Sequence, residues 1–421
     1  MDDVSTAQEP LLAGTAPGHD HLAWASASGA HVRSADGRDL IDFTSGVFVA
    51  NTGHCHPRVV TAIQEQAAKL LNCYDAPHPL RDEVVRRLTE LTGPPFDAVS
   101  LTTTGAEAID SAVKAAKAYT GRYETLSFSW AFHGKTLAAL SLSGLPGTRR
   151  GVGPVMPGSI VGLYPTCYHC PLGLTYPECG VACFDASGEI FRANTTGSLA
   201  AVVVEAYLGA GGAFVAPPEF WPKVRAFADA QGAVLILDEI QTGFGRTGTM
   251  FAFQQFGIVP DVLVVAKGMA SGLPMSAVIS RREILESLAP GVMASTYGGN
   301  PLSCAACLAT LDVLEDERLP ERAARLGQQA LARMSSWVGR VAGVGDVRGI
   351  GLAFGIELVG PDGSPDPEHA LRALYAAERE GVVTLPPAGP YGNVVRLAPP
   401  LVISEGDLDE GISALERALP Q

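Results

Sequence analysis

Lysine is scarce in this chain, occurring only at positions 69, 114, 117, 135, 223 and 267, so chemistry that needs an amine has few candidates. Lys267 stands apart. It closes the apolar run DVLVVA at 261–266 and is followed by GMASGLP. A lysine at the end of a buried strand is poorly solvated, which lowers its pKa and frees the neutral amine that adds to a carbonyl. Lys69, Lys114, Lys117 and Lys223 fall in helical patterns, where a solvated face is expected. Ion pairs also place lysines at strand ends, so the position alone leaves a structural reading open. Asp238-Glu239-Ile240-Gln241 closes a second apolar run, AVLIL. A carboxylate there could face a ring nitrogen and keep it protonated, making the ring an electron sink. The alternative is a pair of surface acids, against which the five preceding apolar residues weigh. Thr104-Gly105-Ala106-Glu107 follows a strand and opens a helix, a place where backbone N–H groups and the positive helix end suit a phosphate. The same turn also fits a plain N-cap. Phe132-His133-Gly134-Lys135 follows the strand-like TLSFSW, and an aromatic there can stack on a planar ring or simply belong to the core.

The elements that must position these residues alternate. Apolar runs at 99–102, 199–204, 233–238 and 261–266 lack period-2 alternation and read as buried parallel strands. Helical stretches at 106–119 and 219–231 lie between them. The pattern is α/β, a sheet covered on both faces, in which ligands bind at the carboxyl ends of the strands. Residues 30–44 read as a hairpin about Asp36-Gly37. Pro57 to Leu71 reads as an amphipathic helix. Two helical patterns occupy 302–338, DVRGIGLAFGIEL reads as a strand pair, and VVRLAPPLV follows. A last helix opens at Ser404-Glu405-Gly406-Asp407, which resembles a capping box. The expected organisation is an N-terminal segment, 1–55, with a loose arm over 1–20 and the hairpin; a large domain, 56–309; and a smaller α+β domain, 310–421, to which the N-terminal segment belongs.

At 421 residues and 47% hydrophobic content the chain is long enough for two domains in one subunit. A formal net charge of −14 argues against nucleic acid or an anionic membrane as partner, since both demand basic surface. No stretch approaches the roughly 20 apolar residues of a membrane span. The first residues, MDDVSTAQEP, have neither the basic start nor the apolar run of a secretory signal, so the expected location is the cytoplasm.

The motifs occur together and in order, and in that arrangement the chain resembles the class III aminotransferases, the group of ornithine, acetylornithine and 4-aminobutyrate aminotransferases. The resemblance runs through GHCHP at 53–57, TGAEAIDSAVKAAK at 104–117, FHGKT at 132–136 and VVVEAYLGAGG at 202–212. It continues through LDEIQTGFGRTG at 237–248, AKGM at 266–269, TYGGNPLSCAA at 296–306 and VVRLAPPL at 394–401. LDEIQTGFGRTG and its spacing to Lys267 are the most specific parts. The resemblance implies a fold-type I enzyme, its large domain built on a mostly parallel seven-stranded sheet, with pyridoxal 5'-phosphate as cofactor. It implies Lys267 as the lysine that holds the cofactor as a Schiff base and later moves the proton. Asp238 would pair with the pyridine nitrogen and Gln241 with the ring hydroxyl. Phe132 and Ile240 would sandwich the ring, with His133 and Glu205 close by. Gly105 and Ala106 would bind the phosphate, helped by Thr296 from a second subunit, so a homodimer with a shared active site is implied.

Two departures bear on substrate. Members that handle glutamate carry a second acid in the EPxxGEGG segment, where this chain has Ala210. In those relatives the acid gates the arginine matching Arg396, which here is free for a carboxylate or has another partner. Lys135 stands in FHGKT where carboxylate-binding members often have arginine, and lysine cannot form the bidentate fork. Arg396 and Lys135 are the candidate substrate residues, and the partners are a small-molecule amine and a carbonyl compound. The amine is left open among an ω-amine, an amino acid and an amino sugar. Cys167, Cys170, Cys179 and Cys183, with His169, have a spacing that could ligate zinc or an iron–sulfur cluster. The preferred reading is a Pro/Gly-rich insertion with thiols, and no metal is assigned. The leading function is amino-group transfer. The runner-up is a racemase or epimerase using the same lysine, and a third reading is a non-catalytic scaffold built on the cysteines.

Overall fold

The computed structural model describes residues 22–419; the arm expected over 1–20 lies outside them. Three antiparallel strands come first: β1 (Trp24–Ser28), β2 (His31–Ser34) and β3 (Asp39–Asp42). The β2–β3 hairpin turns at Asp36-Gly37 as expected, with Gly37 at φ +90° and the Arg38 N–H donating to Ser34 Oγ at 3.1 Å. β1 had no signal in the sequence because WASAS is largely exposed and carries no apolar face.

The next seven strands form the central sheet: β4 (Ala98–Thr102), β5 (Glu124–Phe128), β6 (Ser159–Gly162), β7 (Leu199–Glu205), β8 (Val234–Asp238), β9 (Val262–Val265) and β10 (Ser276–Ser280). Their order is β4-β10-β9-β8-β7-β5-β6. Five neighbouring strands pair in parallel, while β10 runs antiparallel to both β9 and β4. The run at 99–102 therefore keeps the expected direction, parallel to those five strands, but its ladder neighbour is the antiparallel β10, inserted between β4 and the parallel strands. Strands β7 to β10 are buried along their whole length. Alternate residues feed two cores. Val203, Ile236, Val264 and Val278 pack with Ala108, Ile109, Ala112 and Ala116 of the helix Gly105–Thr120. Val202, Leu235, Leu237 and Leu263 pack on the other face with Phe128, Phe220 and Trp221. This is the period-2 alternation of a strand with both faces covered.

The helix Gly105–Thr120 is bounded by local chemistry. Thr104 Oγ1 accepts from the Glu107 N–H and Glu107 reaches back to the Thr104 N–H, a capping box, and Gly121 ends the helix at φ +67°. The helix expected over Pro57–Leu71 stops at Ala67. Beyond it the Gln66 amide donates to Leu70 O at 2.8 Å, and Leu70 and Leu71, which had extended the apolar pattern, are exposed.

After the helices Pro301–Asp316 and Leu319–Ser335 come β11 (Val344–Ile350), β12 (Ala353–Leu358), β13 (Val382–Val383), β14 (Leu385–Ala388) and β15 (Val394–Leu397). The sheet β11-β12-β15-β14 is antiparallel, and β13 pairs in parallel with β3 of the N-terminal hairpin. The last helix, Glu405–Ala418, is capped by Ser404, whose Oγ accepts from the Asp407 N–H at 2.9 Å. The helix Pro367–Arg379 was not read from the sequence.

Candidate active site

The carboxyl ends of β7, β8 and β9 lie side by side. Glu205 and Asp238 are the last residues of β7 and β8 and are paired across the ladder, and Asp238 is paired with Val264 of β9. Lys267 follows β9 by two residues, at the start of a short turn. Its backbone sits at φ +45°, a strained region for a side-chain-bearing residue, and a Cβ on the next residue, Gly268, would lie 2.4 Å from Asn51 Nδ2. The turn is thus pressed against Asn51 and aims the lysine into a cavity of about 670 Å³. Burial lowers the Lys267 pKa to about 8, with the carboxylates of Asp238 and Glu205 working against it and Arg396 adding to it.

Asp238 accepts from the Ile240 N–H at 3.0 Å and pairs with His133 Nδ1 at 2.8 Å. Burial works to lower the His133 pKa, but the hydrogen bond and charge of Asp238 outweigh it, so the pKa is raised. Glu205 accepts from the N–H groups of Phe132, at 2.6 Å, and Gly209, at 3.1 Å. Burial raises its pKa to about 7; His133 opposes this and Asp238 adds to it.

The cavity is lined by Gly105, Ala106, Phe132, His133, Lys135, Glu205, Asp238, Ile240, Gln241 and Lys267, which were singled out in the sequence from separate segments. Lys135 is exposed at its rim. Arg396 does not line it. Its Nη1 donates to Gly209 O at 3.4 Å, its Nε is enclosed without a partner among the described residues, and burial lowers its pKa. Thr296 is exposed and lies away from this cavity within the single chain. Tyr207 was missed. It is 1% exposed, lines the cavity, and donates from its hydroxyl to Gln241 Oε1 at 3.1 Å. The available signal was its i+2 spacing from Glu205, which keeps both on one side of the extended chain.

The cysteine segment forms a separate feature. Cys167, Cys170, Cys179 and Cys183 are all free and line one small cleft. Burial raises the Cys183 pKa to about 11 and that of Cys167 as well, so both are thiols. His169 Nε2 is engaged by Glu357 Oε1 at 2.6 Å. Among the described residues no group of three or more His, Cys, Asp and Glu side chains is arranged to hold a metal ion.

A mostly parallel sheet that brings a desolvated lysine, a buried carboxylate, an aromatic side chain and a glycine-opened helix to one cavity defines an enzyme built around an anionic, carbonyl-bearing aromatic cofactor. The family Aminotransferase class-III matches residues 15–419. The 4-aminobutyrate aminotransferase GabT of Escherichia coli K12 is 36% identical over 94% of this chain and 92% of its own length. The leucine/methionine racemase of Thermococcus litoralis is 35% identical over 93% of this chain and 89% of its own. Among solved structures, an amine transaminase from an uncultivated Pseudomonas species, in a PLP-bound form, superposes with a TM-score of 0.90 at 31% identity, covering 100% of this chain and 99% of that one. The chain belongs to the class III aminotransferases, and it is a pyridoxal-phosphate-dependent enzyme of amino-group transfer. The cavity fits that cofactor. Gly105 and Ala106 carry first-turn N–H groups with no partner among the described residues, and Gly105 is closed over by Ile240, whose Cδ1 would lie 2.8 Å from any Cβ there.

Proposed function

We propose that this enzyme takes the amino group from a terminal primary amine and delivers it to a keto acid, with Lys267 holding the cofactor. The observation that carries the reading is the placement of the Lys267 amine, its pKa brought down to about 8, in the same cavity as the strand-end carboxylate Asp238. When bound, pyridoxal phosphate supplies an aldehyde that links to amines and a pyridine ring that takes up the electron pair left by a departing proton. Asp238 holds the ring nitrogen protonated, and His133, tied to its other oxygen, keeps the carboxylate oriented. Gly105 and Ala106 donate to the phosphate at the positive end of their helix. Phe132 and Ile240 bracket the ring, and the Gln241 amide meets its hydroxyl. The neutral amine of Lys267 would be the base that takes the proton from the substrate's amine-bearing carbon and returns it to the cofactor's carbonyl carbon.

The donor follows from what stands near Arg396. Ala210 supplies no carboxylate, and no ion pair of Arg396 exists among the described residues, so its guanidinium is available to the carboxylate of the keto acid acceptor. Lys135, at the rim, takes the looser role of a point charge. The names of the 4-aminobutyrate aminotransferase and the amine transaminase support a donor whose amine sits on a chain end. Leu273 and Met275, which line the same cavity, support an apolar body. A two-base racemase would need a second proton carrier on the far face; His133 is committed to Asp238, which leaves Lys135, exposed at the rim, as the other candidate. The working unit in this reading is a cytoplasmic homodimer in which Thr296 of one subunit completes the phosphate site of the other. No helix among the described residues is long and apolar enough to cross a membrane. In this reading residues 56–309 form the cofactor-binding domain, and 22–55 with 310–419, of the described residues, the smaller one. Tyr297, next to Thr296 in the chain, is exposed, as are Leu71 and Tyr74 of the stretch that Arg81 ties to Gly299 by donating to Ala76 O and Gly299 O, and these offer the apolar contact a dimer needs.

The test is a panel of amines given to holoenzyme in heavy water without acceptor. Stoichiometric conversion of the cofactor to its amine form, with one carbonyl product released, supports the reading. Continuous deuterium uptake with inversion and no carbonyl product would replace it with the racemase. Sedimentation of the same protein should give a dimer, and a fully active monomer would remove Thr296 from the site.

A further inference from the structure

We propose that Tyr207 is a positioning residue that fixes which end of the Gln241 amide faces the cofactor's ring oxygen. The inference rests on the reading that Gln241 meets that oxygen. A glutamine amide has a donor end and an acceptor end of nearly the same shape, and a flip exchanges them. The Tyr207 hydroxyl donates to Gln241 Oε1 at 3.1 Å. The acceptor end is thereby occupied, and Nε2, which has no partner among the described residues, is the end left for the cavity. Gly209 closes the other side. A Cβ there would lie 1.8 Å from Gln241 Oε1 and 2.9 Å from Nε2, so the amide rests directly on backbone. Tyr207 is itself immobile. Its ring lies 6.4 Å from that of Phe48, and the two share a buried cluster with Ala213, Ala353, Leu385 and Ala398. Burial holds its phenol well above the usual 10, against the pull of Arg396 and Arg246, so the hydroxyl keeps the proton it donates.

A face that can only donate stabilises the ring oxygen as an anion. That oxygen then competes less for the proton on the nitrogen joining cofactor to Lys267, and the proton leaves at lower pH. The experiment is a pH titration of the visible absorbance of holoenzyme. Tyr207→Phe keeps the ring and its contact with Phe48 and should raise the midpoint by about one pH unit. Gln241→Leu should raise it at least as far, and the double variant should match Gln241→Leu, because Tyr207 acts through the amide. An unchanged midpoint in Tyr207→Phe, with Gln241→Leu shifted, would overturn the proposal and leave the Gln241 contact standing. If neither variant moves, the contact and the proposal both fall. The visible band, and its loss in Lys267→Ala, would still uphold the cofactor assignment.

Discussion

Asp238, Glu205 and Gln241, in the cavity, each have partners that fix their direction. Asp238 is held by the Ile240 N–H and by His133, so its replacement by asparagine should leave the fold intact. It should nevertheless cut the rate of the amine half-reaction by about a hundredfold or more, because an amide cannot hold a ring proton through charge. A near-normal rate in single-turnover absorbance would remove Asp238 from its role. Lys267 offers a pH test. Its pKa is lowered from 10.5 to about 8 by burial, so the charged form dominates below that value and the neutral nucleophile above it. The rate at which apo-protein takes up pyridoxal phosphate should climb about tenfold per pH unit up to that point and then level. A plateau setting in only near 10.5 would mean a solvated amine. Lys267 and Asp238 were legible because an ionisable residue after an apolar run is rare and chemically costly. Tyr207 was not, because a tyrosine beside VVVEA reads as core and its partner Gln241 lies 34 positions away.

At the level of elements, the proposed reading has the helix Gly105–Thr120 set the phosphate end of the site and β8 and β9 the ring end. Gly105 is where they touch, since the three atoms nearest a Cβ there all belong to Ile240. Gly105→Ala should displace Ile240 and weaken cofactor affinity about tenfold, read by titrating apo-protein, with little change in melting temperature. Unchanged affinity would mean that Ile240 does not bracket the ring. The strands at β7, β8 and β9 were readable as continuous apolar runs. Their neighbour β10, SAVIS, was missed because flanking serines shorten its apolar core, although both serines are buried and bonded. The partner of β4, the antiparallel β10, was unreadable for a different reason: pairing partners are chosen by topology, and an isolated apolar run carries no trace of them.

In the whole molecule, Arg246 joins the parts that the sequence keeps far apart. Fully buried, it donates to Leu352 O at 2.9 Å and Pro399 O at 2.6 Å, and also to Ser45 Oγ at 3.1 Å and Asn51 Oδ1 at 2.8 Å. No carboxylate forms an ion pair with it among the described residues, and burial, against the pull of Tyr207 and Asp42, lowers its pKa to about 10. Arg246→Leu should leave these acceptors unpaired and cost about 3 kcal/mol, seen as a lower denaturation midpoint. An unchanged midpoint would show that the contacts are dispensable. The motif GRTG gave no hint of this, since its four partners lie in three other segments. The same global view yields the decisive measurement. Six lysines are spread over the chain, and two of them, Lys135 and Lys267, line the cavity. Holoenzyme reduced with borohydride, digested and mapped by mass spectrometry should carry the cofactor's mass on the peptide containing Lys267 and on no other. A stoichiometric adduct on Lys135, or on any of the remaining four, would contradict the account.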